Sequence, residues 1–125
     1  MNSPDEVGSI IIGAAITVHS HLGPGLLESA YQKCLRYELE GRGLSVACEV
    51  PLPLKYRGLS MDIGYRLDMI VEGSVVIENK CVDRFAPVHE AQLLTYLRMS
   101  GIQLGYLLNW NVPLLKNGIK RMVTR

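Results

Sequence analysis

Two strand-like segments separated by three residues constrain this chain most. They are Tyr65-Arg66-Leu67-Asp68-Met69-Ile70-Val71 and Val75-Val76-Ile77-Glu78-Asn79-Lys80, joined by Glu72-Gly73-Ser74. Strands this close in sequence pair as an antiparallel hairpin. With residues 72–74 as the loop, Val71 faces Val75, Met69 faces Ile77 and Leu67 faces Asn79 on one side of the sheet. On the other side Ile70 faces Val76, Asp68 faces Glu78 and Arg66 faces Lys80. A slip of one residue would scramble both faces. A three-residue loop usually places Gly last, whereas Gly73 stands in the middle, so the register rests on the apolar pattern.

This register brings chemistry together. Glu78 and Lys80 lie two positions apart on a strand and therefore point to the same face. Burying a carboxylate and an amine is costly unless both find partners. A bound cation and a water to activate are one such set. A structural ion-pair network on a solvated sheet face is the other reading of Asp68, Glu78 and Lys80.

With 125 residues, 48% of them hydrophobic, the chain is long enough to bury a core of its own as one domain spanning residues 1–125. The apolar stretch Ile10 to Val18 contains Gly13 and Thr17 and follows Asp5 and Glu6. It is too short for a bilayer span and has the wrong flanks for a signal peptide, so no membrane association is expected. Cys34, Cys48 and Cys81 are isolated and odd in number, which speaks against zinc and against a disulfide framework. A cytoplasmic location is the resulting expectation. The net charge of +1 is low for a dedicated duplex-binding domain. Basic residues still gather in Lys33, Arg36 and Arg42 and in Lys116, Lys120, Arg121 and Arg125. They are either solvated charges or phosphate contacts.

Ser3-Pro4-Asp5-Glu6 carries the signs of a helix start: a capping Ser, a Pro at the first turn and a Glu able to close a capping box. That helix is predicted to run to about Leu22, before Gly23-Pro24-Gly25. A second is predicted from about Leu26 to Glu40, and a third from Pro87 to Ser100, ended by Gly101. Strand alternation runs from Leu44 through Val50, Leu52 and Leu54 to Tyr56, with Pro51 and Pro53 marking an edge or bend and Arg57-Gly58 a turn. Leu104 to Leu108 and Ile119 to Val123 are the last strands, giving the order α-α-β-β-β-α-β-β and an α/β or α+β fold.

A helix-borne Glu28, a strand Asp68, Glu78-Asn79-Lys80 and Gln92 on the following helix resemble the layout of the PD-(D/E)XK nuclease superfamily. Gly25-Leu26-Leu27-Glu28-Ser29-Ala30-Tyr31 looks like the signature that names the GxxExxY protein family. Val18-His19, Leu22-Gly23-Pro24-Gly25, Gly64-Tyr65-Arg66-Leu67-Asp68 and His89-Glu90-Ala91-Gln92-Leu93-Leu94 look like that family too. The resemblance covers about Ile11 to Val123 and implies a central mixed β-sheet flanked by helices. It implies Asp68 and Glu78 as metal-binding carboxylates, the Asn79 carbonyl as a further ligand and Glu28 nearby. Lys80 would hold or activate the attacking water, and the Gln92-x-x-x-Tyr96 pattern would support the site. Leu67 stands where the superfamily's name has Pro, and Asn79 replaces the usual apolar residue, so its amide needs a partner.

The chemistry so implied is hydrolysis of a nucleic-acid phosphodiester with Mg2+ or Mn2+, since hard oxygen ligands favour these over zinc. The alternative is a silent nuclease-fold module that binds nucleic acid or a protein. A homodimer would supply the surface that a small chain lacks. Tyr31 and Tyr96 are substrate contacts or core aromatics with a bonded hydroxyl. His19, His21 and His89 lack metal-ligand spacing; His19 and His89 fit packing or supporting roles and His21 the surface. Trp110 is expected to cover the core or an interface from a turn.

Overall fold

A computed structural model of the chain describes residues 2–124. Helix α1 (Pro4–Leu22) begins on a complete capping box: Ser3 Oγ accepts from the Glu6 N–H at 3.2 Å, and Glu6 Oε1 accepts from the Ser3 N–H at 2.9 Å. Helix α2 (Glu28–Gly41) follows, then β1 (Val46–Pro51), β2 (Leu54–Tyr56), β3 (Leu59–Met61), β4 (Arg66–Val71) and β5 (Val75–Lys80). Helix α3 (Pro87–Ser100), β6 (Leu104–Asn109), a single 3-10 turn (Leu115–Gly118) and β7 (Ile119–Val123) complete the chain. Gly101 ends α3 in the left-handed conformation, φ 76°, as its position past the helix requires.

Five strands form one sheet in the order β1-β4-β5-β6-β7. All neighbours are antiparallel except β5 and β6, which are parallel and joined through α3. Helices α1 and α2 bury Val7, Ile11, Ala14, Tyr31, Leu35 and Leu39 against Met69, Ile77 and Leu108 on one face. Helix α3 buries Leu93 and Leu97 against Val76 and Leu107 on the other. The expected mixed sheet between helical layers is therefore the observed fold. Among the described residues, no helix is long and apolar enough to cross a membrane.

The element order needs one correction. Three strands were expected between the second and third helices, and there are five. The long alternating segment ends at Pro51, and β2 and β3 form a separate two-stranded sheet about Arg57-Gly58. Pro51 and Pro53 have no N–H to give a ladder. Leu52 between them turns inward and donates its N–H to the Tyr65 carbonyl at 2.9 Å.

The hairpin register holds where it was strongest: Val71↔Val75, Ile70↔Val76 and Met69↔Ile77. Its loop closes by a Ser74 N–H bond to the Val71 carbonyl at 3.0 Å, with φ 54° at Glu72 and 63° at Gly73. A left-handed Glu is uncommon. Ser45 holds it, donating from its N–H (2.9 Å) and hydroxyl (2.6 Å) to the Glu72 carboxylate.

Candidate active site

The ladder between β4 and β5 stops after Met69 and Ile77. Each strand then follows its other neighbour. Glu78, Asn79 and Lys80 continue to pair with Leu107, Leu108 and Asn109 of β6, while Leu67 and Arg66 pair with Val50 and Pro51 of β1. The expected facing pairs of Asp68 with Glu78, Leu67 with Asn79 and Arg66 with Lys80 are therefore not ladder pairs. Carboxylates fill the gap: the Asp68 N–H donates to Glu78 Oε1 at 3.2 Å, and the Asn79 N–H donates to Asp68 Oδ2 at 2.8 Å. Backbone donors freed by the parting strands must find partners, and these acids are the partners.

Strand β1 kinks at the same level. Glu49, opposite Asp68, has φ 53° and makes no ladder pair. Cys48 and Met69 pack with the α1–α2 core, but Val50 and Leu67 pack with the α3 core. Strict alternation would have kept Cys48 and Val50 on one face. The change of face lets groups from both helical layers reach the opening.

Glu78 is buried, at 3% exposure, and its pKa is pushed up to about 9, by burial first and then by the Asp68 charge. Burial also raises Asp68, against the opposing hydrogen bonds from the Asn79 N–H and Glu78. Burial thus favours the protonated form of both neighbouring carboxyls, Glu78 the more strongly. Glu28 of α2 is raised by burial and by Asp68, with Lys80 offsetting part of the effect. A positive ion would relieve all three acids at once. Among the described residues, no three His, Cys, Asp or Glu side chains form a ready-made metal cage. The donor set is thus two adjacent carboxylates with a third within charge range, which suits a hard cation that keeps several waters.

Lys80 shares the Glu78 face, as their spacing predicts, and reaches the α3 layer. Its Nζ donates to Gln92 Oε1 at 3.2 Å, and Gln92 Nε2 donates to the Tyr96 hydroxyl at 3.1 Å. Gln92 and Tyr96 are four apart on α3, hence neighbours on one stripe. Burial, then Glu78, raises the Tyr96 pKa, so its hydroxyl stays neutral. Hydrogen bonds and charge interactions thus link Glu28, Asp68, Glu78, Lys80, Gln92 and Tyr96, from α2, β4, β5 and α3.

The Asn79 side chain points to the opposite face and is fully buried. Its Oδ1 accepts from the Trp110 indole N–H at 3.0 Å, and its Nδ2 donates to Gln32 Oε1 at 3.2 Å and to Met69 Sδ at 3.4 Å. The amide that replaces an apolar residue therefore has every partner it needs. Trp110 is itself buried, stacking on Tyr31 with ring centroids 4.9 Å apart and planes 8° apart.

Tyr31 does not stand where a substrate contact would. It has no exposed surface, and its hydroxyl donates to the Gly23 carbonyl while accepting from the Leu26 N–H at 3.1 Å. It ties down the loop that leads into α2 and so sets the position of Glu28. His19 bonds the Trp110 carbonyl through Nε2 at 3.2 Å, and the His89 Nδ1 accepts from the Ala86 N–H at 3.0 Å at the start of α3.

Sequence reasoning missed Gln32 and Glu49. Gln32 Nε2 donates to Glu49 Oε1 at 2.8 Å while its oxygen receives Asn79, so it links α2, β1 and β5 beside the acids. Its signal was its place one turn after Glu28. Glu49 had none, because alternation alone does not reveal a left-handed residue within a strand.

A sequence model of the PD-(D/E)XK nuclease superfamily matches residues 5–122. Comparisons with curated proteins and with solved structures find no match.

Proposed function

The chain belongs to the PD-(D/E)XK nuclease superfamily, and on that premise we propose that it hydrolyses phosphodiester bonds of nucleic acid with Mg2+ or Mn2+. Nucleases of this superfamily generally use divalent metal ions. The observation that carries the reading is the parted end of β4 and β5, where the Asp68 and Glu78 carboxylates take the freed backbone N–H groups and Lys80 is held by Gln92. Asp68 and Glu78 would be the metal ligands, with the Asn79 carbonyl and Glu28, directly or through water, completing the protein's share. The ion would supply charge neutralisation at the phosphoryl group and a bound water of lowered pKa.

The chain's own residues account for the rest. Asp68 and Glu78 would hold the cation as ionised carboxylates. Lys80 commits one of its three N–H groups to Gln92 and keeps two for the attacking water and a phosphate oxygen. Gln92 holds that geometry because its own amide is fixed by Tyr96. Tyr96 supports the site through Gln92. We further assign the chain, as one domain, to the GxxExxY group within the superfamily, on its Gly25-to-Tyr31 segment, and place it in the cytoplasm. A homodimer would extend the surface available to substrate.

The second reading, a nuclease-fold module that binds without cutting, draws on the net charge of only +1. Incubation with single-stranded, duplex and branched DNA and with RNA, in Mg2+ and in Mn2+, separates the two. Cation-dependent cleavage of at least one substrate is the expected result. Binding without cleavage of any of them would favour the silent module.

A further inference from the structure

Helix α2 carries two adjacent stripes. Glu28 and Gln32, one turn apart, form the inner stripe beside the carboxyl pair. Ser29, Lys33 and Arg36 stand beside it at i, i+4 and i+7. All three line a cavity of about 350 Å3 between α2 and β1, whose other walls include Gln32, Glu49 and Asp68. The cavity begins at the acids and ends at two cations, about 7.5 and 12 Å along the helix axis from Glu28.

Both cations are exposed to solvent. Lys33 is exposed and makes no ion pair among the described residues, although Glu28 and Glu49 line the same cavity. Arg36 meets Glu40 at 3.5 Å in a pair whose side chains are 47% and 50% exposed. Exposed pairs of this kind contribute little. Arg42 with Glu38 at 3.4 Å and Lys120 with Glu90 at 3.7 Å are pairs of the same kind, whereas Arg121 meets Asp5 at 2.8 Å.

We propose that this cavity holds the backbone phosphate next to the bond that is cut, with Lys33 and Arg36 as phosphate-positioning residues and Ser29 as a hydroxyl donor. The inference rests on the nuclease reading above. Lysine, arginine and serine are the side chains that fix nucleic-acid backbones without reading sequence. The volume lies at the small end of ligand sites, which span about 300–1,000 Å3. Glu28, Glu49 and Asp68 at the inner end repel phosphate, which keeps the anion at the outer end until a cation offsets them.

The test measures anisotropy of a short fluorescein-labelled DNA strand, and separately an RNA strand, in Ca2+ across a salt series. The proteins compared are the parent, the double variant Lys33→Ala/Arg36→Ala, and Lys116→Ala as an exposed cation elsewhere. The double variant is expected to bind about tenfold or more weakly, as for loss of charge-assisted hydrogen bonds. Its slope of log K against log salt should be shallower by about 0.7, as one lost phosphate contact on a single strand predicts. Its calorimetric Mn2+ binding should match the parent, and Lys116→Ala should match the parent throughout. DNA and RNA losses of equal size support recognition of the shared phosphate backbone. A double variant with parental affinity and slope overturns the inference and leaves the nuclease reading standing. A parent that neither binds nor cleaves any strand overturns both.

Discussion

The indole N–H of Trp110 donates to Asn79 Oδ1 at 3.0 Å with both side chains fully buried, 31 residues apart in sequence. This bond joins the strand that carries Glu78 and Lys80 to the Tyr31 stack that sets the start of α2. Replacing Trp110 by Phe keeps an aromatic ring on Tyr31 but leaves a buried acceptor without its donor, at a cost of about 1–3 kcal/mol. Urea unfolding of Trp110→Phe should show that loss, and Trp110→Ala a larger one of about 3–5 kcal/mol. A Trp110→Phe midpoint equal to that of the parent would remove the bond from the set that holds the site.

The carboxyl pair makes the metal-free protein sensitive to pH. The folded-state pKa of Glu78 is raised from 4.5 to about 9, so the folded state holds more protons than the unfolded chain across that window. Stability therefore falls as pH rises from about 4.5 through about 9. Glu78→Gln removes the buried charge while keeping an oxygen for the Asp68 N–H. Its melting temperature in chelator should equal the parent's in acid and exceed it increasingly towards alkaline pH. A large drop at every pH would instead mark the acids as a structural ion-pair network.

Much of this arrangement was legible in the sequence. Alternation across residues 69–71 and 75–77 gave the hairpin register, because one-residue slips bury charge. Spacing of two placed Glu78 with Lys80, and spacing of four placed Gln92 with Tyr96. What stayed hidden was the departure from regularity. Alternation treats a strand as uniform, so it carried the pairing on to Asp68 and Glu78, where the strands part and side chains take over the backbone donors. The left-handed Glu49 and the separate hairpin after Pro51 escaped for the same reason. Tyr31, offered as a substrate contact or a core aromatic, is buried, and its partners, Trp110 and the Gly23 and Leu26 backbone, are set by tertiary packing.

Cation binding should release a proton, since Asp68 and Glu78 must both be ionised to serve as ligands. Calorimetric titration with Mn2+ should show weak binding that strengthens as pH rises. Release of about one proton per ion near neutrality should appear as a dependence on buffer ionisation enthalpy. Asp68→Ala should weaken binding more than about a hundredfold, beyond the 10–100-fold typical of outer partners. Equal binding by parent and variant would exclude Asp68 as a ligand.

The central assignment is that Lys80, held by Gln92 at 3.2 Å, works on the attacking water beside the paired carboxylates. Cleavage of a susceptible nucleic acid in Mn2+ by the parent and by Lys80→Ala, purified side by side, tests it most directly. The variant should lose about 10²–10³-fold in rate, the range typical of a lost preorganised hydrogen-bond donor, while its calorimetric Mn2+ binding persists. Cleavage by Lys80→Ala at the parental rate would contradict the assignment and trace the activity to another enzyme in the preparation.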